Sequence, residues 1–342
     1  MNEENEDLTP TDLTPQDDAE ETTPHLKAVD DGPTRAGFAA IIGAPNAGKS
    51  TLVNALVGSK VSIVTKKVQT TRFPVRGVAM EGRSQIVLVD TPGVFTPRRR
   101  LDRAMVRSAW AGAEDADSVV HLIDAETEIA MTEGTSNAAQ RRSADDAESI
   151  IQTLKPTGRP AILVINKIDL VRRDKLLALA ARLFESGVYG EVFMVSATNG
   201  SGMSDLKQRL AAIMPESPWL YPEDQTADVP VRLLAAEITR EKIYLRVHEE
   251  LPYAAAVETT AFADAKDGGA RIEQTIYVER ESQRPIILGK GGQTLKWIGQ
   301  KSREELAEIL DRPIHLFLHV KVHPDWQEDK SFYRGMGLEY DA

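Results

Sequence analysis

The sequence predicts an α/β fold: a doubly wound, mainly parallel sheet followed by a smaller α+β domain. Three observations carry that expectation. Short continuous apolar runs alternate with helix-length stretches over roughly 170 residues, as strands covered on both faces do. A glycine loop, Gly43-Ala44-Pro45-Asn46-Ala47-Gly48-Lys49-Ser50-Thr51, stands between the first apolar run and the first helical stretch. Beyond a proline-rich break the pattern changes to helix, two strands, helix and strand.

A chain of 342 residues has room for two domains, each with its own core. The net charge of −11 resides mostly in residues 1–36, which hold 11 acidic and 2 basic residues, so the remainder is nearly neutral. Composition therefore gives no sign of a general nucleic-acid binder, and any such function must rest on a local patch. Cysteine is absent, which excludes disulfides and thiolate metal sites. No apolar run reaches the length of a membrane span, and no basic-then-apolar leader opens the chain. A soluble protein is expected.

Residues 1–36, rich in Asp, Glu, Thr and Pro, cannot bury enough surface to offset the entropy of ordering, and are expected to form a disordered acidic tail. The first domain is expected over 37–215. Its strands are Phe38 to Ile42, Phe73 to Met80, Gln85 to Val89, Ser118 to Ile123, Ala161 to Ile165 and Val192 to Val195. Helices are expected after the glycine loop, ending at Gly58, and around 101–113, 144–154, 174–186 and 204–213. A linker, 216–229, carries prolines among polar residues. The second domain, 230–338, opens with a helix to about residue 250 whose Leu234, Ile238 and Leu245 form one stripe. Strands Ala254 to Phe262 and Arg271 to Arg280 follow, turning at Asp267-Gly268-Gly269. Then come Ile286-Ile287-Leu288, the loop Gly289-Lys290-Gly291-Gly292, a helix marked by Leu295, Ile298, Leu306 and Ile309, and a half-buried strand over 314–322.

The chemistry concentrates at strand ends. Gly43 and Gly48, five apart between strand and helix, let backbone N–H groups curl around phosphate oxygens at a helix N-terminus. Lys49 would reach the β- and γ-phosphates and Ser50 would offer its hydroxyl to Mg²⁺. Asp90-Thr91-Pro92-Gly93 ends a strand at the same sheet edge, which suits a carboxylate beside Mg²⁺ and a Gly93 N–H toward a γ-phosphate. Asn166-Lys167-Ile168-Asp169 ends another. The Asp169 carboxylate can accept from both guanine donors, N1–H and the amino group, a pair adenine cannot match. Asn166 can hold the loop or meet the base, and the Lys167 stem can cover a ring face. Ser196-Ala197 can add a backbone N–H to guanine O6.

In this order, with Gln69-Thr70-Thr71-Arg72 between the first two, these segments resemble the five guanine-nucleotide motifs of the translation-factor-related GTPases, and among them the bacterial Era family. Ala236 to Lys242, Glu250-Leu251-Pro252-Tyr253 and the Gly-Lys-Gly-Gly loop match its second half, a KH-like RNA-binding segment. The resemblance covers 37 to about 338. It implies a P-loop GTPase domain binding GTP or GDP with Mg²⁺, joined to a KH domain on the 3′ region of small-subunit rRNA. It also implies assistance to 30S subunit assembly, a monomer, and a cytoplasmic location with peripheral inner-membrane association. By the same resemblance Thr70 or Thr71 coordinates Mg²⁺ and closes over the γ-phosphate. Asn46 is the residue type that holds potassium in relatives, with capping of the loop backbone as an equal alternative. Val94 stands where many GTPases place a water-orienting Gln, so water positioning must come from elsewhere. Phe73-Pro74 is an unusual continuation of the first switch, and Ala125 to Ala147 has no motif counterpart.

In the second domain, Arg284, Lys290, Lys296, Lys301 and Arg303 include no acidic neighbour between 284 and 303. Glycines let a nucleic-acid backbone pass close, so Gly289, Lys290, Gly291 and Gly292 are the expected clamp. A rival reading is a guanine-nucleotide-binding interaction protein without turnover. An ATPase is disfavoured by Asn166 to Asp169.

Overall fold

The structure, a computed structural model, describes residues 32–65, 67–247 and 251–341. Most of the tail expected at 1–36, and Glu250 of the Glu-Leu-Pro-Tyr match, lie outside the described residues. Residues from Pro33 onward pack as one unit.

Strand β1 (Arg35–Ile42) leads through the glycine loop into helix α1 (Lys49–Val57). There follow β2 (Val75–Glu81), β3 (Ser84–Asp90), α2 (Arg100–Glu114), β4 (Ser118–Asp124), α3 (Ala125–Thr132), α4 (Ala138–Leu154), β5 (Ala161–Asn166), α5 (Arg173–Phe184), β6 (Tyr189–Met194) and α6 (Met203–Ile213). The sheet is seven-stranded, ordered β6-β5-β4-β1-β3-β2-β7, where β7 is Ala227–Asp228. Only β2 runs against the other strands, antiparallel to β3 on one side and to β7 on the other. The continuous apolar runs are the central strands: Ala39 to Ile42, Ile86 to Leu88 and Leu163 to Ile165 are at most 1% exposed. One core lies against α1 and α6, the other against α2, α4 and α5.

Three details depart from the sequence reading. The segment 125–147 is helical, forming α3 and the first half of α4, which begins six residues before its expected start. The linker is strapped to the sheet rather than crossing solvent: Gln85 Oε1 accepts from the N–H of Leu220 and Tyr221, and β7 pairs with β2. Leu245 is 53% exposed and leaves the stripe expected of it, whereas the charged Arg240, Glu241 and Lys242 of the same helix are buried.

That helix is α7 (Val231–Arg246), and β8 (Ala255–Asp264), β9 (Ala270–Val278), α8 (Arg284–Leu288), α9 (Gln293–Leu310), β10 (Ile314–Val322) and α10 (Lys330–Gly335) complete the chain. β9 pairs antiparallel with β8 and parallel with β10. The alternation over 314–322 half-buries one side of β10, fully only at Ile314, and leaves the other open. Ile286 to Leu288, unassigned from sequence, forms α8. The two halves share a core in which Phe73, Leu101 and Met105 meet Trp326, Tyr333 and Leu338.

Candidate functional site

The loop after β1 takes the conformation its glycines allow. Gly48 sits at φ 102°, and a Cβ there would lie 2.3 Å from Asn166 Nδ2. A Cβ on Gly43 would lie 2.5 Å from the Leu122 carbonyl. Asn46 is exposed at the loop's crest with φ 65°. Behind the loop Lys49 is 6% exposed, and its Nζ donates to the carbonyls of Gly43 and Ala44, each at 3.0 Å. Burial drops its pKa to about 8, against the opposing pull of the Asp90 carboxylate.

Beneath Lys49, three oxygen-bearing side chains converge. Ser50 Oγ donates to Asp90 Oδ2 at 2.7 Å and lies 2.9 Å from Thr71 Oγ1, which is itself 3.4 Å from Asp90 Oδ2. Asp90 is fully buried, and its Oδ1 has no protein partner. Burial raises its pKa, opposed by Ser50 and Lys49. Hydroxyls beside a buried carboxylate with an unused oxygen are the hard oxygen donors Mg²⁺ takes, so the residues fit that ion. Thr70, by contrast, turns away: its Oγ1 lies 2.6 Å from Thr65 Oγ1 and bonds the Lys67 carbonyl at 2.8 Å. Of the two adjacent threonines the fold brings only Thr71 to the Ser50–Asp90 pair.

At the end of β3, Thr91 Oγ1 donates to the Ile41 carbonyl at 2.7 Å, and the Val94 N–H bonds the Gly43 carbonyl at 3.1 Å. This ties the Asp90 to Val94 segment to the glycine loop. A Cβ on Gly93 would press on Pro45 at 3.0 Å. Val94 is 6% exposed and joins the apolar core.

Asn166 closes the other side. Its Nδ2 donates to the Ala47 carbonyl at 2.9 Å, and its Oδ1 accepts from the Ala197 N–H at 3.1 Å. One buried amide therefore joins three loops, and of its two sequence-level readings the structure displays the loop-holding one. Removing it would leave the buried Ala197 N–H without its acceptor, a cost of about 1–3 kcal/mol. Lys167, at φ 62°, pairs with Asp124 Oδ2 at 2.6 Å. Asp124 also caps α3 through the N–H groups of Glu126 and Thr127. Asp169, on the 3₁₀ turn Ile168–Leu170, is exposed, while Ser196 is buried and bonds Ser201 and Gly200 through its main chain.

In the second half, the Gly-Lys-Gly-Gly loop joins α8 to α9. Gly289, Gly291 and Gly292 all have positive φ, and a Cβ on Gly289 would strike Thr294 Oγ1 at 2.2 Å. Gly291 and Gly292 face open space. Arg284, Lys290 and Lys296 are exposed close to the loop in sequence. Lys301 is not brought there: it lies two turns along α9, pairs with Glu304 at 2.8 Å, and lines a groove with Lys60 and Lys242.

Residues 38–167 match the family model described as 50S ribosome-binding GTPase, and residues 250–327 match the KH domain model. GTPase Era of Caulobacter vibrioides (strain NA1000 / CB15N) is 67% identical over 309 residues, spanning 90% of this chain and 98% of its own length. The chain belongs to the Era family of GTPases. GTPase Era of Maricaulis maris (strain MCS10) is 57% identical, over 91% of this chain and 99% of that protein. Two solved Era structures, each 39% identical, superpose over 89% of this chain and 99% of theirs. One, an Aquifex aeolicus variant bound to GDP·AlF4−, gives a TM-score of 0.79. The other is Era in complex with MgGDPNP and nucleotides 1506–1542 of 16S ribosomal RNA, at 0.80. The GTPase and KH assignments and the mainly parallel sheet expected from sequence therefore hold for this Era family member.

Sequence reasoning passed over two features of the site. Asp124 carried no signal beyond its place at a strand end. Arg240 and Glu241 were quoted only as part of a matching segment, although burial of successive charges in a helix means that something charged or polar faces them.

Proposed function

We propose that this Era-family GTPase couples GTP binding and hydrolysis to recognition of the 3′ region of small-subunit rRNA, and that it assists assembly of the 30S subunit. The convergence of Ser50, Thr71 and Asp90 under the glycine loop carries the nucleotide half of the reading. Gly43 to Thr51 cradle the phosphates. Lys49 supplies positive charge at the β- and γ-phosphates, and the Asp90 to Val94 segment, with the Gly93 N–H, faces the γ-phosphate. Ser50 and Thr71, backed by Asp90, would hold Mg²⁺, which when bound would offset charge developing on the phosphates. Asp169 selects guanine, the Lys167 stem covers the ring, and the Ala197 main chain approaches O6. Asn46, exposed in the loop, holds a potassium ion beside the phosphates.

The RNA half rests on the open Gly-Lys-Gly-Gly loop flanked by Arg284, Lys290 and Lys296, and on the likeness to an Era whose structure contains 16S rRNA. The division at 37–215, 216–229 and 230–338 rests on the proline-rich break and the change of pattern beyond it; β1 begins two residues earlier, at Arg35, and β7 of the linker pairs into the first sheet. The protein acts as a cytoplasmic monomer. Its association with the inner membrane is peripheral; among the described residues no helix is long and apolar enough to cross a membrane.

The test is binding of the full-length chain to an RNA of the 16S 3′ region and to an unrelated RNA of equal length, in matched salt. Preference for the 3′ region is expected. Equal affinity for both would reduce the second half to a nonspecific polyanion binder.

A further inference from the structure

Helix α7 belongs to the second half of the chain, yet two of its buried charges grip the segment between α1 and β2. Arg240 is 1% exposed. One of its terminal nitrogens, Nη2, donates to the main-chain carbonyl of Thr70 and to Glu237, and Nε donates to Glu237 Oε1 at 2.7 Å. The Tyr244 ring lies 5.3 Å from the guanidinium. Glu241, 3% exposed, accepts from the Val64 N–H at 2.9 Å and from Lys60 Nζ at 2.8 Å. The chain is thus held at Val64 and again at Thr70. The residue after the second hold is Thr71, whose hydroxyl meets Ser50 and Asp90.

A buried ion pair is a weak source of stability, because desolvation cancels most of the attraction. What Arg240 supplies that an apolar side chain could not is a directed donor to one carbonyl. A neighbouring main chain so held presents its side chain in one direction, and a threonine turned by one residue would face the wrong way, as Thr70 does.

We propose that Arg240 is a positioning residue for GTP hydrolysis: through the Thr70 carbonyl it fixes the main chain that presents the Thr71 hydroxyl to the Ser50–Asp90 pair. The proposal rests on the assignment of Thr71 to the Mg²⁺ side made above. GDP is held by the glycine loop and Asp169, none of which Arg240 touches, so the loss should fall on turnover and on its dependence on Mg²⁺.

The experiment compares full-length Arg240→Gln, Arg240→Lys and Thr71→Ala with the unsubstituted chain, measuring single-turnover GTP hydrolysis across a Mg²⁺ titration together with GDP affinity. Arg240→Gln is expected to slow hydrolysis about tenfold and to raise the Mg²⁺ needed for half-maximal rate, with GDP affinity kept within about twofold. Arg240→Lys, which retains one donor toward Thr70, should recover part of the rate. Unaltered rate and Mg²⁺ dependence in both Arg240 variants, beside a defective Thr71→Ala, would overturn the proposal. So would a parallel loss of GDP affinity and hydrolysis in both, which would mark Arg240 as structural. Normal Mg²⁺ dependence in Thr71→Ala would instead overturn the assignment of Thr71, and the proposal with it.

Discussion

Lys49 shows how one buried residue sets a pH response. With its pKa depressed to about 8 from 10.5, the folded chain releases a proton that the unfolded chain still holds between those two values. Stability of the nucleotide-free protein should therefore rise with pH across that window. Phosphate oxygens favour the charged amine, so nucleotide binding above pH 8 must take up a proton and GDP affinity should fall as pH rises through about 8. Fluorescence titration of GDP at a series of pH values checks this, and a flat affinity from neutral to alkaline pH would contradict either the lowered Lys49 pKa or its contact with phosphate. Asp169 carries a second residue-scale prediction. Asp169→Asn exchanges an acceptor pair for one acceptor and one donor, so GTP should weaken by more than about tenfold while xanthine nucleotides, which offer an extra carbonyl, gain. Competition between the two nucleotides reads the switch directly, and unchanged GTP affinity would remove Asp169 from the base site.

At the scale of elements, what the sequence displayed was whatever short-range geometry dictates. The glycine loop was legible because only glycine tolerates the positive φ and the 2.3 Å approach at position 48. The central strands were legible because both faces are covered. The choice between Thr70 and Thr71 was not, since adjacent residues differ only in which way the chain turns, and that turn is set by α7 about 170 residues away. The strap formed by β7 and the burial of Arg240 through Lys242 were equally hidden, because the partners that make them favourable are distant in sequence. Lys301 looked like a member of the basic loop for the converse reason: closeness in sequence is not closeness on a helix, where five residues from Lys296 turn the side chain to another face. The loop between α8 and α9 gives the element-scale prediction. Lys290→Asp with Gly291→Asp places two carboxylates where RNA phosphates must pass; Lys290 is exposed and a side chain at Gly291 meets open space, although its φ of 60° puts a local backbone cost on the second change. Binding to the 16S 3′ region should be lost, most visibly at low salt, while GDP affinity stays nearly unchanged. Retained RNA affinity in that variant would refute the clamp.

Across the whole molecule the two halves are continuous at Arg72 and at the segment after Gly93. Arg72, fully buried, donates to the carbonyls of Ala255 and Tyr253, and its guanidinium lies 5.2 Å from the Trp326 ring. Phe95, just beyond Gly93, packs in the same core as Trp326 and Tyr340. Both segments proposed above to face the γ-phosphate are therefore seated on the KH half, so packed contacts run from that half to the nucleotide loops. The buried, apolar Val94 offers nothing to orient water, so the isolated chain should hydrolyse GTP slowly. The most direct test is GTP turnover by the full-length chain in potassium buffer, with and without an RNA of the 16S 3′ region. A low basal rate that rises several-fold with the RNA is predicted; a rate that stays the same whether or not the RNA is bound would contradict the coupling.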